Sequence, residues 1–526
     1  MKKRLFALLM AMCCLAGCHS GENASVKTND TDVSPATSSP AATTETEGEK
    51  ILVIADTQGP TSLDLAQSWD SWYTSRMGIT ETMFRLDETL TPQPWLCESL
   101  EQTEEMTWVL TVKDGITFQN GNPLTAQSVQ DCWERTASLN PRFLEVLPIS
   151  SMTSEGQRLT ITTSEPLPAM ANALSEPLTG VIDVSSDTDM ASSPIGTGPF
   201  QAVSFTAGQE ITVKQYADYW GGVPALDGAV MHIISDTNTL ALAQQQGETD
   251  VTVSMPAASL SLFEGNDDFH VDGAAGSRGE VVYFNFDTPA LQNLAVRQAL
   301  SMVADKKGYA SVLNHGASVS TKGLYPDFMA FGAKEAIYSY DLDEAARVLD
   351  EAGIVDQNGD GIREYDGVPL SLRLVTYSTK AELPLFASEF ASSAGRIGIE
   401  VNVEVYESVA EQERSGDFDL LLISFAMVPT GDPQYFAEIA FHSQGSSNYG
   451  GYANEKVDEL IAVLSRTTGT EERAALAQQI QQLVLEDAGY LVFGHAKYYY
   501  ISGAQVQHLV TNPSEYYLLD ASVDLS

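Results

Sequence analysis

Trp69, Trp72, Tyr73 and Arg76 stand within two helical turns of one another. Aromatic walls beside a guanidinium suit a small ligand that carries a carboxylate, because the planar fork grips it through two parallel hydrogen bonds. The same spacing fits the start of an ordinary helix whose aromatics pack into a core. Asp432 sits in Thr430-Gly431-Asp432-Pro433, just after the apolar run Leu420 to Phe425. By residue type alone, an Asp before Pro is a turn residue bonded to its own backbone. His442 follows in Phe441-His442-Ser443-Gln444. The other body histidines, His232, His270, His315, His495 and His508, are scattered without metal-ligand spacing. Asp356-Gln357-Asn358-Gly359-Asp360-Gly361 matches the opening of a calcium loop, with glycine at its sixth position. The twelfth position is Gly367 instead of glutamate, and Glu364 at the ninth compensates only in part. No His-Glu-x-x-His, no Gly-x-Ser-x-Gly and no phosphate loop ending in Gly-Lys occurs. Carboxylates are too plentiful for one glycosidase-like pair to stand out.

Strands and helices must alternate to hold such residues. Ile51 to Ala55 is a short apolar run that suits a buried strand, and Thr107 to Val112 alternates as another. Thr125 caps an amphipathic stretch that runs to Ala137. Arg158–Thr163, Val281–Phe286, Ser371–Thr376 and Glu400–Tyr406 read as strands. Asn293–Asp305, Asp341–Ala352, Ala381–Gly395, Asn454–Ser465 and Thr470–Asp487 read as helices, the second stopped by Gly353. This alternation predicts an α/β protein with mixed sheets. Gly196-Thr197-Gly198-Pro199 reads as a sharp turn at a domain crossing, and Lys113-Asp114-Gly115 and Gln119-Asn120-Gly121 as tight turns.

The 526 residues carry a formal charge of −43 and 43% hydrophobic residues, the composition of a globular protein of two or three domains. That charge argues against nucleic acid and against anionic lipid as surfaces to bind. The first residues form a leader. Lys2, Lys3 and Arg4 precede the apolar Leu5 to Ala11, and Leu15-Ala16-Gly17 precedes Cys18. The pattern resembles a bacterial lipobox, which implies cleavage after residue 17 and lipidation of Cys18. Two acyl chains anchor stably where one does not. Residues 19–49 are rich in Ser, Thr, Ala, Pro and acids, the composition of a tether reaching about 30 Å. Outside the leader only Cys97 and Cys132 remain, compatible with a disulfide or with two buried thiols.

Several segments together resemble the peptide- and nickel-binding group of bacterial ABC-importer solute-binding proteins. They are Ile79 to Asp87, Pro94 to Leu100, Lys113 to Ala126, Pro194 to Phe200, Tyr219 to Gly222, Phe284 to Phe286 and Val296 to Leu300, in the family's order. The resemblance implies an α/β, two-lobed periplasmic-binding-protein-like clamp with mixed sheets, its larger lobe built from two domains. Residues 50–84, 199–287 and 482–526 would form the main domain of that lobe, residues 85–198 its accessory domain, and residues 288–481 the second lobe. Residues 1–17 would be the signal peptide, and 18–49 the lipidated cysteine and tether.

The resemblance also implies the ligands and partners. The ligand would be a small peptide or a nickel-type metal chelate in the interlobe cleft. The partners would be a permease pair and its ATPases, with the membrane reached through the lipid, no nucleic acid, no cofactor, and a monomeric, extracytoplasmic clamp. In the peptide branch an acid near Asp432 pairs with the ligand's amino terminus. In the nickel branch a histidine near His442 contacts the chelate. Neutral imidazole suits nickel, and the chelator must supply the remaining ligands. Tyr449 joins Trp69, Trp72, Tyr73 and Arg76 as a cleft candidate. The nickel branch's arginine before Pro194-Ile195-Gly196 is absent, leaving Arg142 and Arg278 as substitutes. A sensor presenting the clamp to a receptor, or a surface hydrolase on the same scaffold, are the alternatives.

Overall fold

The computed structural model describes residues 48–526; the leader, Cys18 and nearly all of the tether lie outside the described residues. The body, Glu49–Ser526, is one compact unit. No helix among the described residues is long and apolar enough to cross a membrane.

One mixed sheet of eleven strands runs through the body. In its first half, Ile51–Asp56 lies parallel between Gly228–Ile233 and Val251–Val253, and Glu210–Gln215 and Phe200–Thr206 complete that edge. In its second half, Ser371–Tyr377 lies parallel to both Glu400–Tyr406 and Leu420–Ala426. The helix Glu382–Gly395 supplies the crossover that a parallel pair requires. Its Leu383, Phe386, Ala387, Phe390 and Ala394 are buried against the sheet, the 3.6-residue stripe of an amphipathic helix.

Two long antiparallel strands join the halves. Phe269–Phe284 has 16 residues and Tyr490–Gly503 has 14. At one end Tyr500–Ser502 pairs with Val251–Val253, and at the other Arg278–Phe284 pairs with Leu420–Ala426. Their mutual register shifts between Ala275 and Gly279 and again before Val281. Sequence patterning recovers only the Val281 end of the first strand. The part from His270 to Gly279 carries Gly273, Gly276 and Gly279 and no apolar alternation, and it is ordered by its long partner.

A separate four-stranded sheet is built from Cys97–Glu104, Thr107–Val112, Arg158–Thr163 and Ile149–Glu155. The helix Ala126–Leu139 packs on it. Thr125 caps this helix reciprocally with Ser128. Val129, Cys132, Trp133 and Thr136 form its buried face, and the Trp133 indole donates to the Thr179 carbonyl at 2.9 Å. Cys97 and Cys132 are both buried and free, so no disulfide joins them.

This small domain is clamped to the large sheet by one carboxylate. Glu81 accepts hydrogen bonds from Trp95 Nε1 at 2.7 Å, Tyr219 Oη at 2.6 Å and Trp220 Nε1 at 3.0 Å. Burial raises its pKa, and these donors and Thr197 oppose the rise. Gly196 and Gly198 lie nearby for a reason other than turning. Neither has a positive φ, but a Cβ on either would run into the carbonyls of Ile79 and Gly78. The chain passes there against its own backbone, with Gly198 N donating to Ile79 O at 3.1 Å. Gly115 and Gly121 do adopt positive φ, 81° and 85°, as tight turns require.

Candidate ligand-binding cleft

A cavity of about 1310 Å³ opens between the two halves, where the long strands cross. Trp69, Trp72, Tyr73, Arg76, Arg142, Arg278 and Asp432 all line it.

One end is an aromatic–guanidinium cluster. The helix Ser71–Arg76 starts at the cavity rim, and Trp69 and Trp72 meet edge to face at 5.6 Å. Trp72 also packs edge-on against Tyr516 at 5.3 Å, and its Nε1 donates to Glu176 Oε1 at 3.2 Å. Arg142 stacks over the Trp69 ring at 3.8 Å and donates from Nη1 to the same Glu176 oxygen at 3.0 Å. Its Nε and Nη2 are shielded from solvent and have no protein partner. A guanidinium in the cavity wall with two adjacent unpartnered nitrogens has the fork that one bidentate carboxylate fits. Glu176 itself is held by the Leu178 amide at the start of a short turn, so Arg142 is aimed by a fixed anion.

Beside it lies a charge network. Arg76 donates from Nε to the Glu515 carbonyl at 2.7 Å, and its other nitrogens lie 3.4 Å from the Glu515 carboxylate and 3.8 Å from Asp56. Arg76 is therefore committed to its own protein. Glu515 adopts φ 65°, in the left-handed region, and also accepts from the Tyr498 hydroxyl. Burial raises the Glu515 pKa, opposed by Arg278 and Arg76. Arg278 Nε lies 4.0 Å from the Glu515 carboxylate, and Arg278 Nη1 reaches the Ser424 carbonyl at 3.5 Å. It bridges the C-terminal segment and the second half of the sheet. Lys380, Lys497 and His315 also face the cavity.

Of the remaining candidate residues, one is paired within the protein and two lie outside the cavity lining. Asp432 lines the cavity, but its carboxylate is taken by Arg473, with Nε 2.9 Å from Oδ2 and Nη2 2.5 Å from Oδ1. Both groups are buried, so this carboxylate is already neutralised and offers little to a ligand ammonium. His442 is not in the cavity lining, and its Nδ1 accepts the Gln444 amide of its own turn at 3.0 Å. Tyr449 is outside it too, packed on Tyr283 at 5.2 Å. The histidine in the wall is His315. In the calcium-like loop, Asp356 accepts the amides of Gly359 at 2.6 Å and Gly361 at 2.9 Å. Among the described residues no three His, Cys, Asp or Glu side chains are grouped to hold a metal ion.

Patterning misses Glu176, Glu515, Lys497 and the run Tyr498-Tyr499-Tyr500. That last run was visible as a second aromatic–cationic cluster. It sits inside a strand, whose alternation sends only some of its side chains to any one face.

Comparison with known proteins defines the class. The model for "Bacterial extracellular solute-binding proteins, family 5 Middle" matches residues 91–448, more than half of the chain. The chain belongs to this family of extracellular solute-binding proteins. Its fold is the two-lobed type 2 periplasmic-binding-protein clamp. The nickel-binding protein NikA of Staphylococcus aureus is 26% identical over 447 residues, covering 85% of this chain and 89% of that one. A nickel ABC transporter structure from Bacillus halodurans is 29% identical at a TM-score of 0.82, covering 91% of this chain and 100% of that one. The oligopeptide-binding protein AppA of Bacillus subtilis, solved with a nonapeptide, shares the fold at 21% identity and a TM-score of 0.70, covering 91% of this chain and 99% of that one.

Proposed function

We propose that this chain is the ligand-capturing lipoprotein of an ABC importer, and that its ligand is a small metal chelate bearing at least one carboxylate. The observation that carries the ligand class is Arg142, with two buried, unpartnered N–H groups stacked on Trp69. Leaving such donors open costs about 1–3 kcal/mol, which a ligand carboxylate would recover. The likeness to nickel-binding relatives supports the chelate. The occupied state of Asp432 weakens the case for a peptide ammonium at that position. His315, in place of His442, is the side chain in reach of a chelated metal.

Lobe closure around the ligand is a population shift driven by contacts made only in the closed form. The lobe boundaries given above, the anchor at Cys18, delivery to a permease and its ATPases, action as a monomer, and the absence of chemistry on the ligand all belong to this reading. A short peptide is the second reading, favoured by the cavity's size.

Native mass spectrometry of the body, Glu49–Ser526, purified gently from rich medium, tests it. A mass excess equal to a metal plus a small organic carboxylate supports the chelate. A ladder of short peptide masses replaces it with the second reading. Turnover of either ligand overturns the transport role.

A further inference from the structure

Glu280 lies in the strand Phe269–Phe284, next to the break in its ladder with Tyr490–Gly503. It is fully buried, and its Oε2 has no protein partner. Its Oε1 accepts the Ser318 hydroxyl at 3.2 Å, and Ser318 Oγ accepts the Asn314 amide at 2.6 Å. Asn314 is part of the cavity wall. A hydrogen-bonded chain therefore runs from the ligand cleft to a buried carboxyl between the two lobes. With the acid's proton on the unpartnered Oε2, Ser318 gives its one hydroxyl proton to Oε1, and Asn314 turns its NH2 inward to Ser318 and leaves its carbonyl oxygen for another partner.

The charges around Glu280 come from few elements. The start of helix Glu382–Gly395 presents Glu382, and Lys380 just before it. The strand Ser318–Ser320 presents hydroxyls. The strand Tyr490–Gly503 presents Gly494, where an added Cβ would stand 3.5 Å from Oε2. His495 pairs with Gly279 and so points to the opposite face of the sheet. The segment Tyr309–Leu313 has Tyr309 as its one titratable side chain. Burial and Glu382 push the Glu280 carboxyl up to about 8, with Ser318 and Lys380 opposing.

We propose that Glu280 keeps its proton at neutral pH and acts as a positioning residue, fixing Ser318 and through it the Asn314 amide, so that ligand capture is coupled to a proton held between the lobes. This rests on the reading of the cavity as the ligand site. Loss of the proton leaves a bare charge behind the cleft wall, near Lys380. A carboxylate-bearing ligand in the cleft is then disfavoured, roughly tenfold for a separation of about 10 Å.

The test uses the full chain, with infrared difference spectra between pH 7 and about pH 9. A protonated-carboxyl band should be present at neutral pH, vanish at high pH, and be absent from Glu280→Gln. The Asn314 side-chain amide resonance should shift with the same midpoint. Ser318→Ala, which cuts the chain but keeps the acid, should abolish that shift, and it serves if Glu280→Gln fails to fold. Binding of the nickel–histidine complex should weaken roughly tenfold between the two pH values beyond the change seen in Glu280→Gln. No protonated band at pH 7, an Asn314 resonance that ignores the titration, or equal pH profiles in both proteins overturns the proposal. If nickel–histidine does not bind at either pH, the ligand reading fails, and the band and the Asn314 resonance alone decide this one.

Discussion

Two buried charged groups of this protein are treated in opposite ways. Glu81 meets three ring and hydroxyl donors within 3.0 Å and has nothing left to offer. Arg142 has one nitrogen paired and two open. The first joins the small domain to the large sheet, and the second lies in the wall of a cavity. A buried polar group completed by its own protein holds structure, whereas one left incomplete in the wall of a cavity is a place for a partner. The recognisable motifs sit on the complete side. Glu81, Trp95, Tyr219 and Trp220 come from three family segments and converge on one carboxylate. This is why those segments identify the scaffold and are silent about the ligand.

The contrast is tested most severely at Glu81. Glu81→Leu strands three buried donors and should lower stability by roughly 3–5 kcal/mol, read by calorimetry, with ligand affinity of the folded fraction unchanged. An unchanged melting temperature would break the comparison.

His495 is the next test, because both its ring nitrogens are buried without partners outside the cavity. Burial pushes its pKa down to about 3, below the ordinary 6.5. The unfolded chain thus binds a proton that the folded chain refuses. This stability is fully present above pH 6.5 and is lost as the pH falls towards 3. The loss should approach about 3 kcal/mol by pH 4, and His495→Leu should remove it from the pH–stability curve. Glu280 acts in the other direction. Its folded carboxyl stays neutral up to about pH 8, so stability falls between pH 4.5 and 8. Glu280→Gln should be more stable than the parent at pH 8 and no more stable at pH 4, as thermal melts would show.

Arg142→Lys sharpens the cleft side. A lysine keeps the charge and loses the fork, so affinity for a carboxylate ligand should drop about 10–100-fold in titration calorimetry. The smallest effects belong to the rim and beyond. Trp69 is 53% exposed, and Trp69→Ala should cost about 1 kcal/mol of affinity through Arg142 and almost nothing in stability. His442→Ala should leave binding within error, because His442 lies outside the cavity wall.

Most of the fold was legible in the sequence. The capped helix after Thr125, the strand at Ile51 and the crossover helix before Gly395 each carry their own periodicity or cap, and each appears within a few residues of its expected bounds. The glycine-rich half of the strand Phe269–Phe284 was hidden, because its order comes from a partner more than 200 residues away. The cleft was legible in part. The Trp69–Arg76 cluster lies at the cavity, but its arginine turned out to be spent on Glu515 and Asp56. Asp432, a cleft candidate that also fits a turn by residue type, bonds the Gln434 amide at 2.9 Å, while its buried partner Arg473 lies on a helix that no local pattern connects to it. Long-range charge pairing leaves no local sequence period.

The pairing of Val251–Val253 with Tyr500–Ser502 has a consequence in time. The N-terminal strand Ile51–Asp56 borders Val251–Val253, and Lys50 pairs with Asp524 at 2.7 Å. The half of the sheet that holds Ile51–Asp56 therefore cannot be finished until Tyr500–Ser502 has emerged. Contacts of such sequence separation slow folding, because loop-closure entropy is spent before they form. A chain cut before Tyr500 leaves Val251–Val253 as an unpaired edge, so the first half of the sheet stays open until its distant partner arrives.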